Sequence, residues 1–197
     1  MGNQLSRFVD KFVTPYFSIQ ESEELYEGKS YFRMVSSPSV ILCVLDTDDC
    51  FICVRQFRPN LGYITLEFPA GGMEGSESPL EAANRELLEE TGFRADLLSL
   101  GSFRLQMNRT VNKEYLFFGL VTEQKSVQLK PEITGDCQVV KVPRKAFLGK
   151  MRGNAPFEQL AGFGIIQLAS LLLETNFVSA SYREIVESVK KAQKNNL

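Results

Sequence analysis

GGMEGSESPLEAANRELLEETGF, residues 71–93, joins a glycine-rich turn to a segment crowded with glutamates. Ser78 is a good N-cap, Pro79 suits the first helical position, and Glu81 completes a capping box with Ser78. Gly92 is placed to end the helix as a left-handed cap. On a helical wheel Leu80, Ala83 and Leu87 share one face and are expected to pack on a sheet. Glu86, Glu89 and Glu90 stand at i, i+3 and i+4, so their carboxylates converge on a neighbouring face, where like charges repel. No Lys lies within the helix, and only Arg85 can pair, at i+4 to Glu89. Glutamate-rich faces are commonly just solvated. Three crowded carboxylates with one Arg also suit a hard divalent cation: Mg²⁺ takes oxygen ligands, keeps several waters and shares its site with substrate phosphates.

The totals narrow the chemistry further. The chain has 197 residues, a formal charge of -2, 44% hydrophobic residues and 15 Phe, which suits one globular domain with a real core and a small N-terminal appendage. Balanced charge gives no broad basic field, so no nucleic-acid partner is expected. No apolar run approaches the roughly 18 to 20 residues of a membrane span, and no membrane partner is expected. The opening MGNQLSRFVDKFVTPYF has no apolar signal-peptide region, and its fit at Gly2 to the short myristoylation pattern is a weak signal. Four Cys in a chain of this length do not make a disulfide framework, which points to a reducing, cytoplasmic setting. Cys50 and Cys53 form a C-x-x-C, but on a strand their thiols point to opposite faces, so they read as core residues rather than zinc ligands. Histidine is absent altogether, which removes Ser-His-Asp and Cys-His catalysis and His-ligated metals. Carboxylates, Lys, Arg, Tyr or a metal must carry any chemistry.

Leu5, Phe8, Val9, Phe12, Val13 and Tyr16 fall on one helical stripe, so an amphipathic helix is expected over 5–16. SVILCVLD (39–46) and CFICVRQF (50–57) read as a hairpin, and TLEFPA (65–70) as one short strand. Further strands are expected at about 97–106, 114–122 and 137–142, a long apolar helix at about 156–174 and a polar one at about 181–194. The expected fold class is α/β (α+β). The expected organisation is an N-terminal extension over 1–36, holding the helix and a possible dimerisation segment, and a catalytic domain over 37–197.

Gly71, Glu77, Arg85, Glu86, Leu87, Glu89, Glu90, Gly92 and Phe93 fit, without a mismatch, G-x5-E-x7-R-E-U-x-E-E-x-G-U, where U is a bulky apolar residue. At average residue usage the chance of such a match at a given start is below roughly one in 10⁸. The segment resembles the signature box of the Nudix hydrolases, which cleave nucleoside diphosphates linked to another moiety. That resemblance implies an α/β/α sandwich with a mixed β-sheet and a loop–helix–loop box. It also implies a Mg²⁺ or Mn²⁺ cofactor held by Glu86, Glu89, Glu90 and the carbonyl of Ala70. In the same pattern Arg85 orients the glutamates, and Glu77 is more structural than catalytic.

VRQFRP (54–59) followed by LEFPAGG (66–72) looks like the ADP-ribose and nucleotide-sugar pyrophosphatase branch. There an Arg of the first segment, here Arg55 or Arg58, contacts substrate phosphate, and the Glu of the second, here Glu67, helps bind substrate or metal. The region 102–119 has no proline, where ADP-ribose enzymes commonly carry one, so the resemblance reaches the wider branch rather than ADP-ribose alone. Similar enzymes take a general base from a late loop, for which PEITGD (131–136) offers Glu132 or Asp136. The expected products are a nucleoside monophosphate and a sugar phosphate, with a homodimer as the expected assembly. The competing expectations are a catalytically silent Nudix domain that senses a nucleotide, and a hydrolase of dinucleotides or dinucleoside polyphosphates.

Overall fold

A computed structural model describes residues 7–25, 27–104, 106–124, 137–150, 166, 168–177 and 179–194. Three strands, β1 (Phe8–Val13), β2 (Phe17–Ser22) and β3 (Phe32–Ser36), form an antiparallel sheet in that order. A seven-stranded sheet follows. β4 (Ser39–Leu45), β5 (Cys50–Arg58), β8 (Phe93–Phe103), β9 (Glu114–Gln124) and β10 (Gln138–Pro143) run in the order β10-β5-β4-β9-β8. Two short strands lie off that path: β6 (Tyr63–Glu67) pairs with β5, and β7 (Ala70–Gly72) with β4. The β4–β9 pair is parallel and the other pairs are antiparallel, so the sheet is mixed as expected.

Period-2 alternation along β4 builds a core on each face. Val40, Leu42 and Val44 meet Ala82, Ala83 and Leu87 of α1 (Pro79–Thr91). Ile41, Cys43 and Leu45 face the other way, among Phe147 of α2 (Arg144–Lys150) and Ile185, Val189 and Ala192 of α3 (Tyr182–Lys194). Helix, sheet, helix is the layer order. Residues 168–172 are also helical; the remainder of the helix expected over 156–174 lies outside the described residues, apart from Ile166. Cys43 and Cys53 are free and buried, and burial pushes the Cys53 thiol up to about 12, which suits packing rather than reactivity. Among the described residues no helix is long and apolar enough to cross a membrane.

Two sequence expectations need correction. The stripe over 5–16 is not a helix: Phe8–Val13 and Phe17–Ser22 are paired strands. A bulge between Asp10 and Phe12 breaks the alternation, so apolar residues four apart mimic a helical face. Thr14 makes the turn, its Oγ1 accepting the Phe17 N–H at 2.9 Å and the Tyr16 N–H at 3.2 Å ahead of a chain reversal at Pro15. TLEFPA also divides into β6 and β7, because the Pro69 carbonyl turns to accept the Leu42 N–H at 2.9 Å.

The N-terminal sheet is tied to the rest of the molecule through the 106–113 segment. Met34 donates to the Arg109 carbonyl at 2.7 Å and accepts from the Val111 N–H at 3.2 Å. Arg144, the first residue of α2, is buried. It forms a bidentate pair with Asp49 at 2.6 and 2.8 Å, and donates to the carbonyls of Ala180 at 2.7 Å and Phe177. One guanidinium thus ties the β4–β5 turn to the segment entering α3.

Candidate active site

The start of α1 forms as its sequence requires. Ser78 Oγ accepts the Glu81 N–H at 3.3 Å and the Glu81 carboxylate accepts the Ser78 N–H at 2.7 Å. Gly92 closes the helix at φ 74°. The buried face is Ala82, Ala83 and Leu87, with Glu90 and Thr91 at its end. Leu80 was expected on that face but is 48% exposed, because it lies in the first turn, which projects beyond the sheet.

Two features hold the carboxylates against β7. Glu90, only 5% exposed, accepts the Ala70 N–H at 3.1 Å. Glu86 lies so close to the Gly71 backbone that a Cβ there would fall on its carboxylate, so only glycine leaves room. Arg85 organises the rest. It donates from Nη1 to Glu86 at 2.7 Å, from Nη2 to the Gly72 carbonyl at 2.8 Å, and from Nε and Nη2 to Glu77 at 3.1 and 2.7 Å. Glu89 is within 3.6 Å of the same Nη1. The Arg85 bonds hold the Glu77 carboxyl below the usual carboxylate range, and Glu77 raises the Arg85 guanidinium further. Glu77 also caps the turn, accepting the Glu74 N–H at 2.6 Å.

Glu67, expected at the substrate or metal, is buried within the β5–β6 hairpin. Arg58 donates to it side-on, at 2.8 Å from Nε and 2.6 Å from Nη2. Thr65 and Gln56, which sequence reasoning missed, also donate to it, at 2.5 and 3.4 Å. Burial raises the Glu67 carboxyl, but the bonds from Arg58 and Thr65 outweigh it and leave it below the ordinary value. Arg55 points from the opposite face of β5 and is exposed. Glu132 and Asp136 lie outside the described residues.

The donor set around Gly71 consists of carboxylate and carbonyl oxygens, which suits Mg²⁺ or Mn²⁺ and not a soft metal. Among the described residues no group of three such side chains is already drawn together around one point. Arg85 holds Glu86 and lies beside Glu89, so an incoming cation would compete with a guanidinium for those oxygens. The glycine cradle and the Glu90–Ala70 contact bring the Glu86 and Glu90 carboxylates against β7, and carboxylate oxygens are donors that fit such an ion.

The family model of the NUDIX domain matches residues 35–158, and the chain belongs to that family. It is 55% identical over 49 residues to the ADP-sugar pyrophosphatase of Mus musculus, a match covering 25% of this chain and 22% of that protein. It is 41% identical over 81 residues to the ADP-ribose pyrophosphatase of Bacillus subtilis (strain 168), covering 40% of this chain and 44% of that one. These matches span less than half the length of either relative. A crystal structure of an ADP compounds hydrolase superposes with a TM-score of 0.68 at 20% identity, covering 85% of this chain and 92% of that one. It shares the mixed-sheet fold.

Proposed function

We propose that the chain is a pyrophosphohydrolase that cleaves the diphosphate of ADP-ribose or a nucleotide sugar with Mg²⁺ or Mn²⁺. The observation that carries this reading is the Glu86 carboxylate seated on Gly71 beside the Glu90–Ala70 contact. Glu86, Glu89, Glu90 and the Ala70 carbonyl would hold the cation. Bound there, it neutralises diphosphate oxygens and lowers the pKa of a water. Arg85 holds the carboxylates in place, and the Arg58 guanidinium, with Arg55 as the second candidate, takes a phosphate oxygen in a geometry Lys lacks. A carboxylate of the 131–136 segment, Glu132 or Asp136, accepts the proton of the attacking water. A new P–O bond forms from water, the bridging P–O bond breaks, and the products are a nucleoside monophosphate and a sugar phosphate. The names of the two partial relatives support an adenosine substrate. A cytoplasmic homodimer completes the reading.

The test is phosphate release, after phosphatase coupling, from ADP-ribose, other ADP-, UDP- and GDP-sugars, NADH and a diadenosine polyphosphate, with each metal and with Glu90→Gln. Metal-dependent cleavage of one sugar nucleotide, lost in the variant, is expected. Folded protein that binds one of these and cleaves none would make it a sensor.

A further inference from the structure

The buried polar row behind Arg58 has no counterpart in the metal site, and its chemistry calls for a role. Gln56 pairs with Thr65, Val54 with Glu67 and Arg58 with Tyr63 across the hairpin, so strand alternation puts Gln56, Arg58, Thr65 and Glu67 on one side. Gln56, Thr65 and Glu67 are buried, while Arg58 reaches partly into solvent. A buried carboxylate is costly unless ionic and hydrogen-bonding partners surround it. Here the Nε and Nη2 edge of Arg58 lies flat against both Glu67 oxygens, which fixes the guanidinium plane.

The Glu67 side chain has three rotatable torsions, and the hydrogen bond from Thr65 behind the carboxylate helps fix them. Its hydroxyl carries one proton, and the carboxylate at 2.5 Å takes it in preference to the Gln56 carbonyl at 3.2 Å. Gln56 reaches the other oxygen at 3.4 Å, the weaker of the two supports. The hairpin leads straight into the cation loop: after Glu67 comes Phe68, packed against both Phe51 and Phe147 at ring distances of 5.6 and 5.3 Å, and then Pro69 and Ala70. A fixed guanidinium at one end of this short, packed segment is therefore held at a set offset from the Glu90–Ala70 contact at the other.

Resting on the hydrolase reading above, we propose that Thr65, seconded by Gln56, is a positioning residue: through Glu67 it aims Arg58 at the substrate diphosphate, and Glu67 itself touches neither substrate nor metal. Its loss acts on substrate capture and leaves the carboxylate helix alone, so KM moves and kcat does not.

Steady-state hydrolysis of ADP-ribose with Mg²⁺, or of whichever sugar nucleotide the wild type cleaves, is compared for Thr65→Val, Thr65→Ser, Arg58→Ala and the Arg58→Ala/Thr65→Val pair. Thr65→Val should raise KM by about tenfold, the usual effect of losing a hydrogen bond to a charged group, with kcat within about threefold. Thr65→Ser should restore KM, and Thr65→Val should add nothing once Arg58 is gone. An unchanged KM, a failed rescue by Ser, or an equal further loss without Arg58 would overturn the proposal and leave the hydrolase reading standing. A wild type inert toward every sugar nucleotide would overturn that reading and this proposal with it. If Thr65→Val does not fold, Thr65→Ala carries the same comparison.

Discussion

Gly71→Ala separates the chemistry of the site from its stability. The backbone of Gly71 lies in a strand paired to Val40 and is not left-handed, so alanine can adopt it. The atoms nearest its Cβ are the terminal ones of the Glu86 side chain, which can swing away without moving the backbone. Swinging away breaks the Glu86–Arg85 contact on a partly exposed surface, at a cost of about 1 kcal/mol or less. Glycine-to-alanine substitution at a compatible strand position returns about 0.4–1 kcal/mol by restricting the unfolded chain. The two nearly cancel, and for a chain of this size the melting temperature should move by no more than about 4 °C. The cation site, by contrast, loses a carboxylate from its cradle, and Mn²⁺ affinity should fall by about 100-fold or more. The assay pairs a Mn²⁺ titration followed by electron paramagnetic resonance with a calorimetric melt on the same sample. A variant that binds Mn²⁺ like the wild type would refute the argument that Glu86 must sit on Gly71 to reach the ion.

Three further outcomes are expected. Glu90→Gln should fold with an unchanged melt, because its amide oxygen can still accept the Ala70 N–H, while turnover falls by about 100-fold or more; activity and calorimetry check this together. Arg144→Leu should destabilise by about 1–3 kcal/mol in urea denaturation, since it removes the donor shared by the Phe177 and Ala180 carbonyls and the partly exposed Asp49 carboxylate, without altering Mn²⁺ affinity. Glu67 has a folded pKa below its unfolded value, so its contribution is present above about pH 4.3 and is lost as pH falls through the folded value. Urea melts between pH 3 and 7 should therefore lose stability on acidification, and the slope should be shallower in Glu67→Gln.

The helix at the heart of the site was legible because its determinants are local. Ser78, Glu81 and Gly92 act within one turn of where they stand, and the spacing of Glu86, Glu89 and Glu90 is a property of any α-helix. Leu80 shows the limit: a helical wheel says which residues share a face, but not where along its length the sheet begins to cover it. The N-terminal strands were hidden by one bulged residue that imitated helical spacing. Thr65 and Gln56 were hidden by register. Thr65 sits between Ile64 and Leu66 and Gln56 between Arg55 and Phe57, and only the pairing of Gln56 with Thr65 and of Val54 with Glu67 brings them onto one carboxylate. Two strands of one hairpin, each with polar residues two apart, were the available signal. Arg144 reaches Asp49 across 95 positions, and no local pattern announces such a contact.

The most direct measurement is a ³¹P NMR time course of ADP-ribose and a set of nucleotide sugars with the protein and saturating Mg²⁺. The paired diphosphate resonances of one substrate should give way to two monophosphate singlets, and a chelator should stop the change. Diphosphate signals that persist unchanged for every substrate, in folded protein shown to bind the cation, would contradict the account.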